Sequence, residues 1–369
     1  MLISKIICSL GKLLFIFKKR GTPPSPEKIL VIRSGAIGDV LMSTPLLTAI
    51  RRKYPKAEVC YMVGKWSSQA LKNNPNINKI IEFEDETIYK KNLIEVLKLI
   101  EKIRKEGFDL CFVLDKSWLW GLFAWMCSIK FRIGFDRKGE GFAYNISVPF
   151  EGIKYELEHN LDLARKIGMK VVDKKMRIYY DKKDLTNAEN FLRNNKIKNR
   201  ALIGIAPGGA VNPGQNFLEK KWPEKKYIEL IKKILKMRKN YCIVLFGGLS
   251  DKSLLEYLKN KINSKKIIIA PLSCIQITYL LMNKCKVIIT HDSGAMHIAG
   301  ATNSKIIALF GPTPSKRFAP RNSIVLEVKS KECPCYNIYG NYDKICKEDC
   351  MKNIGIDRVF AKLNYTLKR

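Results

Sequence analysis

Residues 29–41 read Ile-Leu-Val-Ile-Arg-Ser-Gly-Ala-Ile-Gly-Asp-Val-Leu. The apolar run Ile29–Ile32 predicts a short buried strand, and the loop that follows leads into a helix. Gly35 and Gly38 let the backbone turn sharply and approach a ligand closely. The stretch is neither a dinucleotide fingerprint nor a P-loop, because it lacks the G-x-G-x-x-G order and the G-K-[ST] ending. It predicts the strand–turn–helix opening of an α/β domain.

Apolar strands alternate with helical segments along the rest of the chain, in two series. The first has strands at Ile29–Ile32, Val59–Val63, Lys79–Phe83 and Asp109–Leu114 and helices at Val40–Lys53 and Asn92–Glu106. The second has strands at Leu202–Ala206, Cys242–Phe246, Lys266–Ile269, Val287–Thr290 and Ile306–Phe310 and helices at Glu224–Met237, Gln276–Met282 and from Gly294. This alternation predicts βαβ units and parallel sheets. Pro45 predicts a kink in its helix, or a restart capped by Thr44.

A length of 369 residues suits two domains. The charged segment Lys174–Leu192 is where we expect the hinge. The predicted fold is α/β: two facing, Rossmann-like, doubly wound parallel-sheet domains with a cleft between them. We expect an amphipathic segment at residues 1–24, an N-terminal domain at 25–180 and a C-terminal domain at 181–369. Ligands of such sheets lie outside the carboxyl ends of the strands, where each motif below falls.

The composition is strongly basic: 67 Lys and Arg against 34 Asp and Glu give a net charge of +33. Such a charge favours nucleic acid, phosphorylated substrates or an acidic membrane surface as partners. A Lys-rich or heat-adapted proteome would produce the same balance. Charge alone therefore selects no function.

The first twenty residues combine an apolar stripe at spacings of three and four with the basic cluster Lys18–Arg20. This pattern is typical of a helix lying in the membrane interface. A packing helix and a signal peptide are the alternatives, although basic residues stand where a cleavage site needs small ones. Scattered cysteines in apolar runs indicate a reducing compartment. We therefore expect a cytoplasmic protein, peripheral at the inner face of the cytoplasmic membrane.

Asp39 lies at the predicted turn between strand and helix, where a carboxylate can accept a proton from a substrate hydroxyl. A helix N-cap is the structural alternative. The second motif is the stretch 290–297, Thr-His-Asp-Ser-Gly-Ala-Met-His, in which a helix begins directly after a buried strand. The N–H groups of Ser293, Gly294 and Ala295 suit a diphosphate, and His297 lies one turn further on. Capping by Asp292 or Ser293 is again the alternative.

Two further stretches carry candidate ligands. Lys220 stands before Trp222-Pro223, the entry to a helix, where a lysine can meet a phosphate as a point charge. Near the chain end, four cysteines lie within eighteen residues, and a zinc knuckle, a disulfide and reduced thiols all remain open. These are Cys333, Cys335, Cys346 and Cys350. No D-x-D sequence, the usual metal–diphosphate clamp of sugar transferases, occurs in the chain.

Together these stretches resemble glycosyltransferase family 9, the ADP-heptose:lipopolysaccharide heptosyltransferases and their relatives. The resemblance runs from about Ile29 to Leu367. It is carried by ILVIRSGAIGDVLMSTPLL, RIGF, HNL, KKWP, FGG, HDSGAMHIAGA, ALFGPT and the CPC…CM tail, in that order. The chain departs from the family pattern in the insert Val211–Leu218 and in having GPTPS where GPTDP is more common.

The resemblance implies a GT-B fold and an inverting, metal-independent sugar transfer without cofactor. Asp39 matches the general base, with Ser34, Gly35 and Gly38 on the acceptor side of the site. The donor-binding residues would be Gly208, Lys220, Asp251, Asp292, Ser293, Gly294 and His297, with Asp251 at the ribose and Lys220 at the phosphates. The implied partners are a nucleotide sugar such as ADP-heptose, an anionic glycolipid acceptor and the inner leaflet. A basic nucleic-acid-binding protein and an inactive nucleotide-sugar-binding scaffold are the alternatives, the former without any recognised nucleic-acid motif.

Overall fold

The computed structural model describes residues 25–85, 92–197, 200–212, 215–237, 241–328, 333–336 and 350–368, together with residues 11 and 330. The chain divides into two compact units, one ending at Arg177 and the other beginning at Ile178. This division falls inside the charged segment where the sequence predicts a hinge. Much of that segment is helical, however, because Lys182–Asn194 forms a helix whose first turn is capped by Asp181.

The first unit is built on a six-stranded, entirely parallel sheet with the order β3-β2-β1-β4-β5-β6. Its strands are β1 (Lys28–Arg33), β2 (Glu58–Gly64), β3 (Lys79–Phe83), β4 (Leu110–Val113), β5 (Phe131–Asp136) and β6 (Ile146–Pro149). Its helices are α1 (Ile37–Leu41), α2 (Thr44–Lys53), α3 (Leu93–Glu106), α4 (Trp118–Met126) and α5 (Glu156–Lys166). Side chains of α3 and α4 form one core with the strands, and α2 packs against α5.

The predicted helix Val40–Lys53 is two helices. The first ends at Leu41, and the second begins at Thr44 with Pro45 in its first turn, where a missing N–H costs nothing. The residue before the second helix is Ser43, so the prediction of Thr44 as cap was wrong. The Thr44 hydroxyl instead donates to the Leu41 carbonyl at 2.8 Å and accepts from the Arg177 N–H at 3.1 Å.

The second unit repeats the plan, with a parallel sheet in the order β11-β10-β7-β12-β13-β14 and a separate antiparallel hairpin of β8 and β9. Its strands are β7 (Ala201–Ala206), β8 (Val211–Asn212), β9 (Gln215–Asn216), β10 (Tyr241–Leu245), β11 (Ile267–Ile269), β12 (Cys285–His291), β13 (Lys305–Phe310) and β14 (Ser323–Glu327). Its helices are α6 (Lys182–Asn194), α7 (Glu224–Leu235), α8 (Lys252–Ile262), α9 (Ile275–Met282), α10 (Gly294–Gly300), α11 (Ser315–Phe318) and α12 (Ile356–Lys368). Helices α7, α8 and α12 share one core with the sheet, and α9 contacts α6 and α10.

Two parallel α/β sheets confirm the predicted fold class. The central strands β1 and β7 are apolar through their interior, at Ile29–Ile32 and Leu202–Ile205, as expected for strands whose two faces are both covered by helices. In a doubly wound sheet the carboxyl ends of the strands lie along one edge. The turns after β1 and β4 therefore meet in the first unit, and those after β7, β10, β12 and β13 meet in the second.

The chain termini are described in part. Of the predicted interfacial helix at residues 1–24, only Gly11 is described; it is helical and buried, and a Cβ there would lie 2.6 Å from Phe142 Cδ2. Among the helices of the described ranges, none combines the length and apolarity needed to cross a bilayer. Near the other end, Cys333 and Cys350 form a disulfide and Cys335 is buried, whereas Cys346 lies outside the described residues.

Candidate active site

Asp39 lies just past the carboxyl end of β1, as the third residue of α1. The residue before the helix is Ala36, so the alternative of Asp39 as N-cap was wrong. Asp39 Oδ2 accepts a hydrogen bond from the Ala36 N–H at 3.3 Å. The carboxylate therefore stabilises the first turn from within, and its side chain stays 28% exposed. It is both anchored and accessible.

Arg33, the last residue of β1, places a buried cation under Asp39. Its Nη2 lies 2.7 Å from Asp39 Oδ1, its Nη1 lies 3.6 Å from Asp115 Oδ1, and Nη1 donates to the Leu114 carbonyl at 2.8 Å. Burial alone would lower the pKa of Arg33, but the carboxylates of Asp39 and Asp115 raise it above its ordinary value. The guanidinium is thus a permanent positive charge beside the predicted base, and it favours the ionised carboxylate.

The loop between β1 and α1 fits closely around this ion pair. The N–H and hydroxyl of Ser34 donate to Asp115 at 2.8 and 3.0 Å. A Cβ on Gly35 would lie 2.7 Å from Asp39 Oδ2, so a side chain there would displace the carboxylate. Gly38 is buried inside α1, where its carbonyl accepts from the Met42 N–H at 2.9 Å. These contacts shape the loop, and a direct role with an acceptor stays a prediction.

In the second unit, Asp292 follows β12 and gathers three partners. Lys220 Nζ lies 3.1 Å from Asp292 Oδ2, and the Thr313 hydroxyl donates to the same oxygen at 2.8 Å. His297 Nε2 lies 4.0 Å from Asp292 Oδ1. Burial alone would raise the pKa of Asp292, but Lys220, His297 and Thr313 hold it below its ordinary value. A buried carboxylate thus stays ionised and fixes a lysine at the sheet edge.

Ser293 occupies the position before α10 without capping the helix through its side chain. Its hydroxyl donates instead to the His291 carbonyl at 3.3 Å. The alternative that the Ser293 side chain serves as a cap was therefore wrong. Asp292 is paired with Lys220 and accepts from Thr313. Since the Ser293–Gly294 turn comes directly after Asp292 in the chain, it lies beside this lysine–carboxylate pair.

Asp251 ties two glycine turns together. Its Oδ1 accepts from the Gly209 N–H after β7, and its Oδ2 accepts from the Gly248 N–H after β10, both at 2.9 Å. A Cβ on Gly208 would lie 2.3 Å from Asp251 Cγ, and Gly209 has φ +89°. Asp251 is buried, with both carboxylate oxygens engaged by backbone. Its geometry gives it a structural role, and the predicted contact with a ribose stays a prediction.

A family model described as "Glycosyltransferase family 9 (heptosyltransferase)" matches residues 96–346. That span covers more than half of the chain. The chain belongs to glycosyltransferase family 9. It is therefore a glycosyltransferase, as the sequence predicts, and the two clusters described above are the candidate active-site residues of this enzyme.

Similar proteins agree with the assignment. The enzyme is 27% identical over 309 residues to lipopolysaccharide heptosyltransferase 2 of Escherichia coli strain K12, covering 79% of this chain and 85% of that protein. A family 9 glycosyltransferase structure from Veillonella parvula matches with a TM-score of 0.74 at 20% identity, covering 94% and 98% of the two chains. The structure of E. coli ADP-heptose lps heptosyltransferase II gives 0.70 at 23% identity, covering 92% and 98%. These matches confirm the predicted GT-B fold.

Sequence reasoning missed several residues of both clusters. In the first unit these are Arg33, Asp115, Lys116 and Glu156: Lys116 forms an ion pair with the fully buried Glu156, whose Oε1 also lies 3.8 Å from Arg33 Nη2. Asp115 and Lys116 follow β4, the strand beside β1, so the rule on carboxyl ends was a usable signal. Thr313 follows β13 in the same way.

No resident metal site emerges from the described residues. Within the ranges that the structure describes, no group of three or more His, Cys, Asp or Glu side chains is arranged to hold an ion.

Proposed function

We propose that the enzyme transfers heptose from ADP-heptose to a lipopolysaccharide-core or related envelope glycolipid, with inversion and without a metal ion. The observation that carries the proposal is Lys220 Nζ held 3.1 Å from the buried Asp292, beside the Ser293–Gly294 turn. Ligands of a doubly wound sheet lie at this edge, and a fixed lysine there can bind a diphosphate. The sugar, nucleotide and acceptor class follow from the similarity to two E. coli proteins, lipopolysaccharide heptosyltransferase 2 and ADP-heptose lps heptosyltransferase II.

The proposed reaction uses one group from each unit. Asp39 accepts the proton of the acceptor hydroxyl. At the same time the oxygen of that hydroxyl attacks the anomeric carbon of the donor. The bond from that carbon to the diphosphate oxygen breaks, and ADP leaves with the bonding electron pair. Attack opposite the leaving group inverts the anomeric centre.

Charge stabilisation on the leaving diphosphate is assigned to Lys220 and the adjacent turn. A positioned cation is most effective where negative charge develops in the transition state. Asp292 keeps Lys220 in place, and Arg33 keeps Asp39 in place through the ion pair described above. We further propose that the reaction takes place at the cytoplasmic face of the membrane, where the glycolipid acceptor presents its anionic core to a strongly basic protein.

The test is an ADP-release assay with ADP-heptose and a heptose-accepting lipopolysaccharide core, run with wild type, Asp39→Asn and Lys220→Met. Loss of the base should lower kcat about 10³-fold and leave ADP affinity unchanged. Loss of the lysine should weaken ADP binding and lower kcat. Lys225→Met, a neighbouring exposed lysine, is the matched control and should behave as wild type.

Four outcomes would each contradict a part of the proposal. Full turnover by Asp39→Asn would remove the base, and the inactive-scaffold alternative would gain from a wild type that binds ADP-heptose without releasing ADP. Turnover should persist in EDTA, and a loss of turnover that added Mg²⁺ restores would overturn metal independence.

The family assignment favours the transferase over the nucleic-acid-binding alternative. That preference would be reversed if the protein bound nucleic acid in a salt-sensitive manner and more tightly than it binds ADP-heptose.

A further inference from the structure

The Lys220 ammonium lies among three aromatic rings. Its Nζ is 4.7 Å from the centroid of Phe217, 5.5 Å from that of Tyr336 and 6.0 Å from that of Phe318. An ammonium is attracted to the face of an aromatic ring at these distances, and more strongly where water is displaced. The side chain of Lys220 is only 16% exposed. We call Phe217, Phe318 and Tyr336 the Lys220 cage.

Phe217 is supplied by the insert that departs from the family pattern. That insert forms the hairpin of β8 and β9, and the Phe217 N–H closes it by donating to the Ala210 carbonyl at 2.7 Å. The 3₁₀ turn Leu218–Lys220 follows at once, and the Lys220 N–H donates to the Phe217 carbonyl at 3.0 Å. The hairpin therefore fixes ring and lysine relative to each other.

Tyr336 is supplied by the cysteine-containing tail. Its N–H donates to the Pro312 carbonyl at 3.0 Å, directly before the Thr313 that binds Asp292. Its hydroxyl donates to Glu219 Oε1 at 3.3 Å, next to Lys220 in the chain. Burial, followed by the charge of Glu219, raises the pKa of Tyr336, so the hydroxyl stays a donor. The ring is thus fixed from both sides, and it packs edge-on against Phe217.

We propose that Phe217 and Tyr336 are positioning residues that hold the Lys220 ammonium at the donor diphosphate. A free lysine side chain samples many rotamers, and a cage restricts it before the donor arrives. Ring faces hold the cation without occupying its N–H donors as further carboxylates would. Those donors remain available to phosphate oxygens. The inference rests on the proposed function of Lys220 and extends it to two residues that no motif assigns.

The test is a double-mutant cycle on ADP affinity, measured by calorimetry, with kcat and KM for the donor measured alongside. Tyr336→Leu removes the ring and should weaken ADP binding about tenfold. Tyr336→Phe keeps the ring and loses only the hydrogen bond to Glu219, so it should recover most of that affinity. In a Lys220→Met background, Tyr336→Leu should have no further effect, because the group that it positions is gone. Tyr365→Leu is the control, since Tyr365 lies on the exposed face of α12, where its ring centroid is 5.0 Å from Lys362 Nζ.

The outcomes separate this inference from the proposed function. Unchanged ADP affinity in Lys220→Met would overturn the role of the lysine itself. A weakened Lys220→Met beside an unaffected Tyr336→Leu would overturn the cage alone. If Tyr336→Leu weakened ADP binding as much in the Lys220→Met background as in wild type, Tyr336 would act independently of Lys220. That result would also overturn the cage. Should Tyr336→Leu unfold, Phe217→Leu runs the same cycle from the hairpin side.

Discussion

Arg33 Nη2 lies 2.7 Å from Asp39 Oδ1, so the predicted base of this glycosyltransferase is paired with a buried cation from the strand that precedes it. Both oxygens of Asp39 have a fixed partner, because Oδ2 accepts from the Ala36 N–H. A base held in this way has one orientation toward an acceptor hydroxyl. The cost is a buried charge cluster, in which Asp115 and Glu156 also neutralise the guanidinium.

Arg33→Lys should weaken the ion pair with Asp39 while keeping a positive charge at this position. A lysine has a single ammonium and cannot contact Asp39, Asp115 and the Leu114 carbonyl together. We expect the acidic limb of the kcat/KM profile to move up by about one pH unit, because the cation favours the ionised carboxylate less. Steady-state assays at low substrate concentration, run across pH, measure this shift. Arg52→Lys, at an exposed position, is the control, and an unshifted limb in a folded Arg33→Lys would refute the pairing.

Gly208→Ala should damage the donor site, whereas Gly248→Ala should not. A Cβ on Gly208 would lie 2.3 Å from Asp251 Cγ, but a Cβ on Gly248 meets its nearest atom, Asp251 Oδ2, at 3.9 Å. Overpacking of this kind costs about 2 kcal/mol, and here it pushes Asp251 off the two turns that it joins. We expect a lower unfolding temperature and at least tenfold weaker ADP binding for Gly208→Ala only. Equal unfolding temperatures and equal ADP affinities in the two variants would mean that the Gly208 turn tolerates displacement of Asp251.

His291 should make the protein sensitive to mild acid. It is fully buried at the end of β12, with Nδ1 3.2 Å from the Tyr227 hydroxyl, and burial lowers its pKa from 6.5 to about 4. Between these values the unfolded state binds the extra proton, so the free energy of unfolding falls as pH drops through that window. The loss between pH 7.5 and 5 should be about 2 kcal/mol.

Urea titrations at both pH values measure this loss in wild type and in His291→Gln, which cannot gain a charge. The variant should be less stable than wild type at pH 7.5, having lost packing at a buried site, yet it should lose about 2 kcal/mol less on acidification. An identical pH dependence in the two proteins would assign the acid sensitivity to other groups.

The Cys333–Cys350 disulfide should hold the tail that supplies Tyr336. Peptide mapping without reductant should recover the two cysteines in one linked species. Replacing both by serine removes a cross-link between two residues that are 17 positions apart in the sequence. The unfolding temperature should then fall, together with ADP affinity. One equivalent of zinc or iron in the purified enzyme, with both thiols protected by it, would show a metal site in place of the disulfide.

Strand and helix positions were largely predictable because their signals are local. The apolar runs of β1 and β12 allow buried parallel strands, and the glycines after β1, β7 and β10 mark the turns. Helices α4 and α5 were not predicted: α4 is apolar on nearly every side, and α5 buries polar residues such as Glu156 and His159. The apolar periodicity is therefore weak in α4, whereas in α5 polar residues occupy part of the buried face and obscure the apolar stripe.

The sequence by itself determined the two α/β units and the turns at their strand ends, because each is a short-range pattern along one chain segment. The candidate base, lysine and phosphate turn were predicted from the resemblance to the family, and their roles stay predictions. Only the tertiary structure decided how those groups are held. Arg33 reaches Asp39 through the geometry of one strand and one helix turn, whereas Asp292 and Tyr336 reach Lys220 from distant segments, and Thr313 from another segment holds Asp292. Charge pairing and ring contacts depend on distances of a few ångströms, and sequence spacing does not specify these.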